Sequence, residues 1–164
     1  RIEGNLLAGV QEIEKMRMMG TQQISAELIE EATADSARYD AFTLADSCLL
    51  GKIGDATRIL SHLKAEGHEP IMILGALIRK IRQLISLQAY GPQRLTEGFK
   101  SQNIWPKQQP PFKSALARLS QAELFECLQT AEQIDRAIKG DGNNSWLLLS
   151  RLTELLTGVR MLAS

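Results

Sequence analysis

Few side chains in this sequence have the types and spacing that catalysis or metal binding requires. His62 and His68 are the only histidines. Neither has a metal-ligand partner at a useful spacing, so no metal site is predicted, and His62 is interpreted as a solvated residue. Neither histidine is near a plausible nucleophile, and there is no Walker-type phosphate loop and no GxGxxG motif. We therefore predict that the chain is not an enzyme, needs no cofactor, and neither binds nor hydrolyses ATP.

The densest group of positive charges is the segment Arg79-Lys80-Ile81-Arg82. One interpretation is a nucleic-acid contact made by Arg79, Lys80 and Arg82. The alternatives are a face whose long side chains lie over apolar neighbours, and an ion pair with a neighbouring helix. No aromatic residue is interleaved with these cations. The whole chain has 19 basic and 19 acidic residues, which argues against a protein whose main work is binding phosphates.

Asp135 places a charge within an apolar helical stripe. At 100° per residue it falls among the members of that stripe, and a charge there needs a partner. Arg82 or Arg79 on the predicted central helix would supply one. We therefore predict that Asp135 pairs with Arg82 or Arg79, and that losing one partner costs about 3–5 kcal/mol. The apolar members of the stripe are Leu124, Cys127, Leu128, Ala131, Ile134 and Ile138.

The last predicted helix has a broad leucine-rich stripe that must face its own core. A second line lies on the opposite side and has no charge, although solvated helix faces usually carry Lys and Glu. Trp is common among interface anchors, and small residues let another helix approach closely, so this line is a candidate subunit interface. Alternatively, the Trp folds over the preceding loop and the hydroxyls are merely tolerated. The four residues of the line are Trp146, Ser150, Thr153 and Thr157.

These side chains must be positioned by helices, because apolar residues recur at helical spacing and no strand-like alternation lasts more than a few residues. The segment Pro70–Gln88 is apolar on nearly every side in its first half and is predicted to be the covered central helix of a bundle. Hydrophobic residues make up 44% of the chain and aromatic residues 5%, so the core is expected to be aliphatic. The other predicted helices are Asn5–Met19, one from Ser25, Phe42–Leu50, one from Gly54, Leu95–Ser101, one from Pro110, Ser120–Lys139 and Ser145–Leu162.

The organisation and the location of the chain are predicted from four further features. The polar segment Asp35–Asp40 interrupts the periodicity and predicts two domains, residues 1–37 and 38–164. Cys48 and Cys127 occur in apolar helical stretches, which is typical of buried thiols in a reducing compartment. No signal peptide or membrane-spanning run is visible, so a cytoplasmic protein is expected. The chain begins at Arg1 without Met, and we expect it to be a fragment from the interior of a longer protein.

Short motifs along nearly the whole chain resemble the delta subunit of the bacterial DNA polymerase III clamp loader. They occur in that family's order, and together they are more specific than any one of them alone. The matching segments are Gly4–Ala8, Gln11–Lys15, Ala34–Asp40, Ala65–Pro70, Arg79 with Arg82–Leu84, Trp105, and Ser145–Leu149.

The resemblance implies a parent with an ATPase-like first domain, a small lid-like helical second domain and a helical third domain called the collar. This chain would hold the end of the second domain and the whole collar. The collar assembles side by side with those of the tau/gamma and delta-prime subunits within a DNA-directed DNA polymerase holoenzyme. The sliding clamp would be contacted only through the missing first domain, and DNA through the whole complex. The main alternative is a free-standing helical nucleic-acid-binding module that uses Arg79, Lys80 and Arg82.

Overall fold

The computed structural model describes residues 22–140 and 144–158. Those residues form seven α-helices and two short 3₁₀ turns, with no β-strand among them, so the predicted all-α fold is confirmed. The predicted helix Asn5–Met19 lies outside the described residues. The helices are α1 (Gln22–Leu49), α2 (Ile53–Ala65), α3 (Pro70–Tyr90), α4 (Leu95–Ser101), α5 (Gln109–Arg118), α6 (Gln121–Lys139) and α7 (Ser145–Thr157), and the 3₁₀ turns are Pro92–Arg94 and Pro106–Gln108.

The chain divides into two compact units, residues 1–40 and 41–164. In the first unit, the described residues belong to α1, where Thr33 donates a hydrogen bond to the carbonyl oxygen of Ile29 at 2.9 Å. The second unit contains the remaining helices and most of the buried apolar side chains. The predicted domains 1–37 and 38–164 stay a prediction, because a division into compact units does not test whether each part folds alone.

The two separate helices predicted before Gly51 are one continuous helix. The sequence analysis begins a helix at Ser25 and interrupts it at Asp35–Asp40, whereas α1 runs from Gln22 to Leu49 without a break. No glycine or proline occurs between these ends, so nothing removes a backbone donor or favours a left-handed residue there. A loss of apolar periodicity therefore does not by itself end a helix.

The central helix of the second unit is α3, as predicted. It contacts α4, α5, α6 and α7. Its first half is not covered on every side, however: Ile71 is 47% exposed and Gly75 is also exposed. One stripe suffices to bury the helix, and apolar residues outside that stripe are tolerated at the surface. The buried residues are Ile73, Leu74, Leu77, Ile81, Leu84 and Leu87.

Capping residues mark several of the helix ends. Ser120 and Glu123 form the predicted capping box at the start of α6, with backbone-to-side-chain distances of 2.9 and 3.1 Å. Gly51 and Gly67 adopt φ of +77° just after α1 and α2, where a left-handed residue ends the helix. The last helix, predicted to run to Leu162, ends at Thr157, and Gly158 follows with φ of +74°; the predicted end at Leu162 itself lies outside the described residues. Among the described residues, no helix is both long and apolar enough to cross a bilayer.

Candidate functional site

A groove of about 770 Å³ lies beside the central helix in the second unit. Gln102 and Gln83 both line it, and the amide side chain of Gln102 donates to the carbonyl oxygen of Gln83 at 3.2 Å. The side-chain oxygen of Gln83 is buried and has no hydrogen-bond partner within the described part of the chain. Cations, amides and apolar groups therefore share this groove. Its lining includes Arg79, Lys80, Lys107, Gln83, Gln102, Phe42, Ile104 and Phe112.

Lys80 lines this groove, and its side chain is 18% exposed. Its Nζ is 4.0 Å from Oδ1 of Asp46 and 4.8 Å from the centre of the Phe112 ring, which is within the range of a cation–π contact. Burial lowers the pKa of Lys80, and the nearby carboxylate opposes that shift. Burial likewise raises the pKa of Asp46, against the attraction of Lys80. The ammonium group is therefore held within the protein by a carboxylate and a ring.

The three residues of the predicted basic cluster thus lie in different environments. Arg79 lines the groove and is exposed, Arg82 is exposed but does not line it, and Lys80 is half-buried against Asp46 and Phe112. The interpretation of a side chain lying over apolar neighbours and paired with another helix fits Lys80. Only Arg79 of the three combines exposure with a place in the groove, where Lys107 from the chain before α5 joins it.

The predicted pairing of Asp135 with Arg82 or Arg79 is wrong. Asp135 Oδ2 is 2.9 Å from Nζ of Lys139, one turn further along α6, and the aspartate side chain is 36% exposed. The reason is the width and direction of the buried stripe of α6. Thr130 is buried and Leu128 only partly so, which rotates the stripe away from Asp135 and leaves it at the edge.

The predicted uncharged line on the last helix is not one open surface. Thr153 and Thr157 are buried, at 1% and 0% exposure, and each hydroxyl donates to a backbone carbonyl of its own helix at 2.9 and 2.8 Å. A hydroxyl that bonds the preceding turn needs no water, so threonine can face the core. Trp146 and exposed Ser150 remain beside an open cavity of about 340 Å³ between α2 and α7. Whether they form a subunit interface stays a prediction.

Arg118, at the end of α5, joins three helices and was not singled out by the sequence analysis. Its Nη2 donates to the carbonyl oxygens of Cys48 and Leu49 at the end of α1, at 3.1 and 2.9 Å, and to that of Leu156 near the end of α7, at 3.3 Å. Its Nη1 is 3.1 Å from the hydroxyl of Ser114. A cation is favourable where helix carbonyls lack partners, so Arg118 caps two helices that are distant in sequence.

Two glycines close around this guanidinium group. A Cβ on Gly158 would lie 3.0 Å from Cδ of Arg118, and a Cβ on Gly51 would lie 3.1 Å from its Nη1. Both glycines also have positive φ, so they allow the turn and the close approach together. Burial lowers the pKa of Arg118, since the charged form loses hydration. In the sequence, Gly51 followed a predicted helix and Gly158 lay inside the predicted last helix, and nothing connected either glycine with Arg118.

The fold and the site together define the class of protein. It is an all-α domain built around one central helix. A partly basic groove lies at the side of this domain, and an arginine joins its helix ends. A protein-family profile described as the C-terminal part of the DNA polymerase III processivity clamp loader gamma complex matches residues 41–163. The chain belongs to this family.

Two curated relatives agree with that assignment. The chain is 32% identical to DNA polymerase III subunit delta of Escherichia coli over 159 residues, which are 94% of this chain and 46% of the relative. It is 26% identical to DNA polymerase III subunit delta of Haemophilus influenzae over 163 residues, 92% of this chain and 47% of the relative. The chain therefore spans about half the length of the curated relatives it matches.

Proposed function

We propose that this chain is the assembly part of a DNA polymerase III clamp-loader delta subunit, supporting the loading of the sliding clamp on primed DNA. The observation that carries the proposal is the family match over residues 41–163, which includes nearly all of the second compact unit. The helices of this unit hold a continuous buried core, as expected of one packed domain.

The proposed partners are the tau/gamma and delta-prime subunits, met through residues 38–164 as a collar domain. The clamp would be contacted by the part of the protein that precedes this chain, and the complex would act in the cytoplasm. The chain itself is proposed to be non-catalytic. Calorimetric detection of micromolar ATP binding to the chain would contradict that part of the proposal.

The surface proposed for assembly is the α2/α7 face, defined by Trp146, Leu147 and Ser150 with the cavity between the two helices. Leu147 is 72% exposed, the most exposed large apolar side chain among the described residues. Ser150 is exposed beside it, whereas Thr153 lies beneath and is covered by the core. An exposed leucine next to a half-buried tryptophan resembles the anchor groups of protein interfaces.

The test is a substitution that leaves the core untouched. Ser150→Arg in the full-length protein is expected to weaken assembly with tau/gamma and delta-prime by about 1–3 kcal/mol, since an arginine would obstruct the face. Ser86→Arg, at an exposed position of α3, is the matched control and should assemble normally. Circular dichroism checks that both variants fold. Equal assembly of the two variants would remove the α2/α7 face from the proposal.

A nucleic-acid contact in the groove is a second candidate. Arg79 and Lys107 supply cations, and the buried oxygen of Gln83 is an acceptor that a base amino group would match. Trp105, adjacent in sequence to Ile104 of the groove lining, is 69% exposed, which suits stacking on an unpaired base. Two aromatic residues, Phe42 and Phe112, also line the groove with these cations.

The two candidates are separated by the salt dependence of DNA binding. Arg79→Ala should weaken binding of the assembled complex to primed DNA and reduce the slope of log K against log salt by about 0.7–0.9. Arg82→Ala is the control, because Arg82 is exposed outside the groove lining. If both variants bind like the parent at every salt concentration, the groove makes no phosphate contact.

A further inference from the structure

A smaller open cavity, of about 260 Å³, lies between the end of α3 and α5 in the second unit. We call it the α3/α5 pocket. It shares no lining residue with the groove or with the cavity of the α2/α7 face. Its walls are therefore a separate surface of the same domain. The apolar residues of these walls are Leu87, Pro92, Leu95, Leu116 and Ala117.

The backbone and one amide side chain hold the α3/α5 pocket in shape. Gly91 ends α3 with φ of +79°, and its N–H donates to the carbonyl oxygen of Gln88 at 3.2 Å. A Cβ on Gly91 would meet nothing within 4 Å, so this turn leaves open space beside it. Gln88 lines the pocket and donates its side-chain amide to the carbonyl oxygen of Leu119 at 3.0 Å. A ligand would thus find the pocket already formed, at a low cost in ordering.

The α3/α5 pocket carries one cation, the exposed side chain of Lys113. Lys113 has no ion pair within the described part of the chain. The helices and turns that line the pocket contain a single carboxylate, that of Glu97. Oε2 of Glu97 is 2.9 Å from Nη2 of Arg94, which also lies over the ring of Tyr90. Both members of that pair are occupied, so Lys113 is left to meet an anion from outside.

The charge of the surrounding segment points to the same kind of ligand. Residues 70–119 contain eight basic residues and one acidic residue, whereas the rest of the chain contains 11 basic and 18 acidic residues. The overall balance of zero therefore hides a strongly basic segment. Such a segment attracts acidic partners and raises the rate at which they associate.

The chemistry of the walls favours a protein partner over a nucleic acid. Unpaired bases bind by stacking on aromatic rings, and no aromatic side chain lines the α3/α5 pocket. The groove beside the central helix, by contrast, is lined by Phe42 and Phe112. Aliphatic walls suit an apolar side chain, which is the usual anchor of a protein interface.

We propose that the α3/α5 pocket binds an acidic peptide segment of a partner protein. A large apolar side chain of that segment fills the space among Leu87, Leu95 and Leu116, and a neighbouring carboxylate pairs with Lys113. This docking site does not depend on the proposed function, because neither the α2/α7 face nor the groove takes part in it.

The test is fluorescence anisotropy with the full-length protein and a fluorescein-labelled peptide, Glu-Asp-Leu-Leu-Asp-Glu. Two further peptides separate the anchor from the charge. Glu-Asp-Ser-Ser-Asp-Glu lacks the apolar anchor, and Gln-Asn-Leu-Leu-Asn-Gln lacks the carboxylates. Each should bind at least about tenfold more weakly than the first peptide, because the site requires both parts. Equal binding of the three peptides, or no binding of the first, would overturn the proposal.

Substitutions then locate the site on the protein. Lys113→Glu should weaken binding of the first peptide about fivefold or more, since a like charge replaces a complementary one. Lys100→Glu is the matched control, because Lys100 is an exposed lysine of α4 outside the pocket lining, and its effect should stay within about twofold owing to screening by salt. Equal losses in the two variants would show a general effect of charge and no site at Lys113.

A third pair of variants tests the pocket itself. Ala117→Phe places a ring at the pocket wall and should weaken binding at least about tenfold, whereas Ala89→Phe, at an exposed position of α3 outside the lining, should bind like the parent. Circular dichroism checks that every variant folds. A fluorescein-labelled oligothymidylate completes the test. If it binds the parent, loses binding in Lys113→Glu, and the acidic peptide does not bind, the site is one for nucleic acid and the proposal is wrong.

Discussion

Replacing Arg118 by methionine should destabilise the second unit strongly, because one guanidinium group caps two helices. Its Nη2 donates to Leu49 at 2.9 Å and to Leu156 at 3.3 Å, two carbonyls near helix ends. The carbonyl of Cys48 also accepts from Arg118 at 3.1 Å, but it keeps a second donor, the N–H of Gly51 at 3.0 Å. Arg118→Met therefore removes the hydrogen-bond donor mainly from two carbonyl oxygens, those of Leu49 and Leu156.

The magnitude follows from those two bonds. A hydrogen bond from a charged donor contributes about 1.5–3 kcal/mol, and the group is partly exposed, so water replaces some of the loss; we expect Arg118→Met to cost about 2–4 kcal/mol of unfolding free energy. Methionine keeps the apolar stem between Gly51 and Gly158, so the change tests the guanidinium group and not the packing. Arg118→Lys keeps the charge without the planar fork and should recover part of the loss.

The assay is equilibrium urea unfolding, followed by circular dichroism and by tryptophan fluorescence. Arg136→Met is the control, because Arg136 is an exposed arginine of α6 and its loss should change stability by no more than about 0.5 kcal/mol. Hydrogen exchange adds a local test: amides at the ends of α1 and α7 should exchange faster in Arg118→Met. If Arg118→Met and Arg136→Met unfold at the same urea concentration, the capping argument is wrong.

Four further substitutions test the packing of individual residues. Asp135→Ala should change the unfolding free energy by less than about 0.5 kcal/mol, as expected for a half-exposed pair with Lys139; a loss of several kcal/mol would restore the idea of a buried partner. Ser120→Ala should cost about 1 kcal/mol in urea unfolding, since the cap of α6 is lost, and no change would show that water replaces it. Gly75→Ala should stabilise α3 by about 0.5–1 kcal/mol, because its Cβ meets nothing within 4 Å. Gly98→Ala should be about 1–3 kcal/mol less stable than Gly75→Ala in thermal unfolding, because its Cβ lies 3.0 Å from two side chains, and equal melting temperatures would contradict that reasoning.

The sequence by itself determined the helical class and most helix ends, because these depend on local interactions. Apolar spacing identified the central helix, the Ser120–Glu123 capping box fixed the start of α6, and Leu95–Ser101 was predicted with the bounds that the structure has. Capping and backbone preferences act over four or five residues, so they are readable without knowledge of the fold. The resemblance to the delta family likewise rested on short segments, and the family match bears it out.

Only the tertiary structure decided which charges are paired and which faces are covered. Apolar periodicity predicted the side of the helix that carries Asp135 or Thr153 only to within about half a helix face. Whether such a residue is buried depends on the direction from which a neighbouring helix packs against it. Arg118 meets carbonyls 69 and 70 residues away, and no local pattern encodes such a contact. His68 reaches Glu66 only because a left-handed glycine turns the chain back. Local interactions thus determined the helices of this protein, and their packing determined the chemistry at its surface.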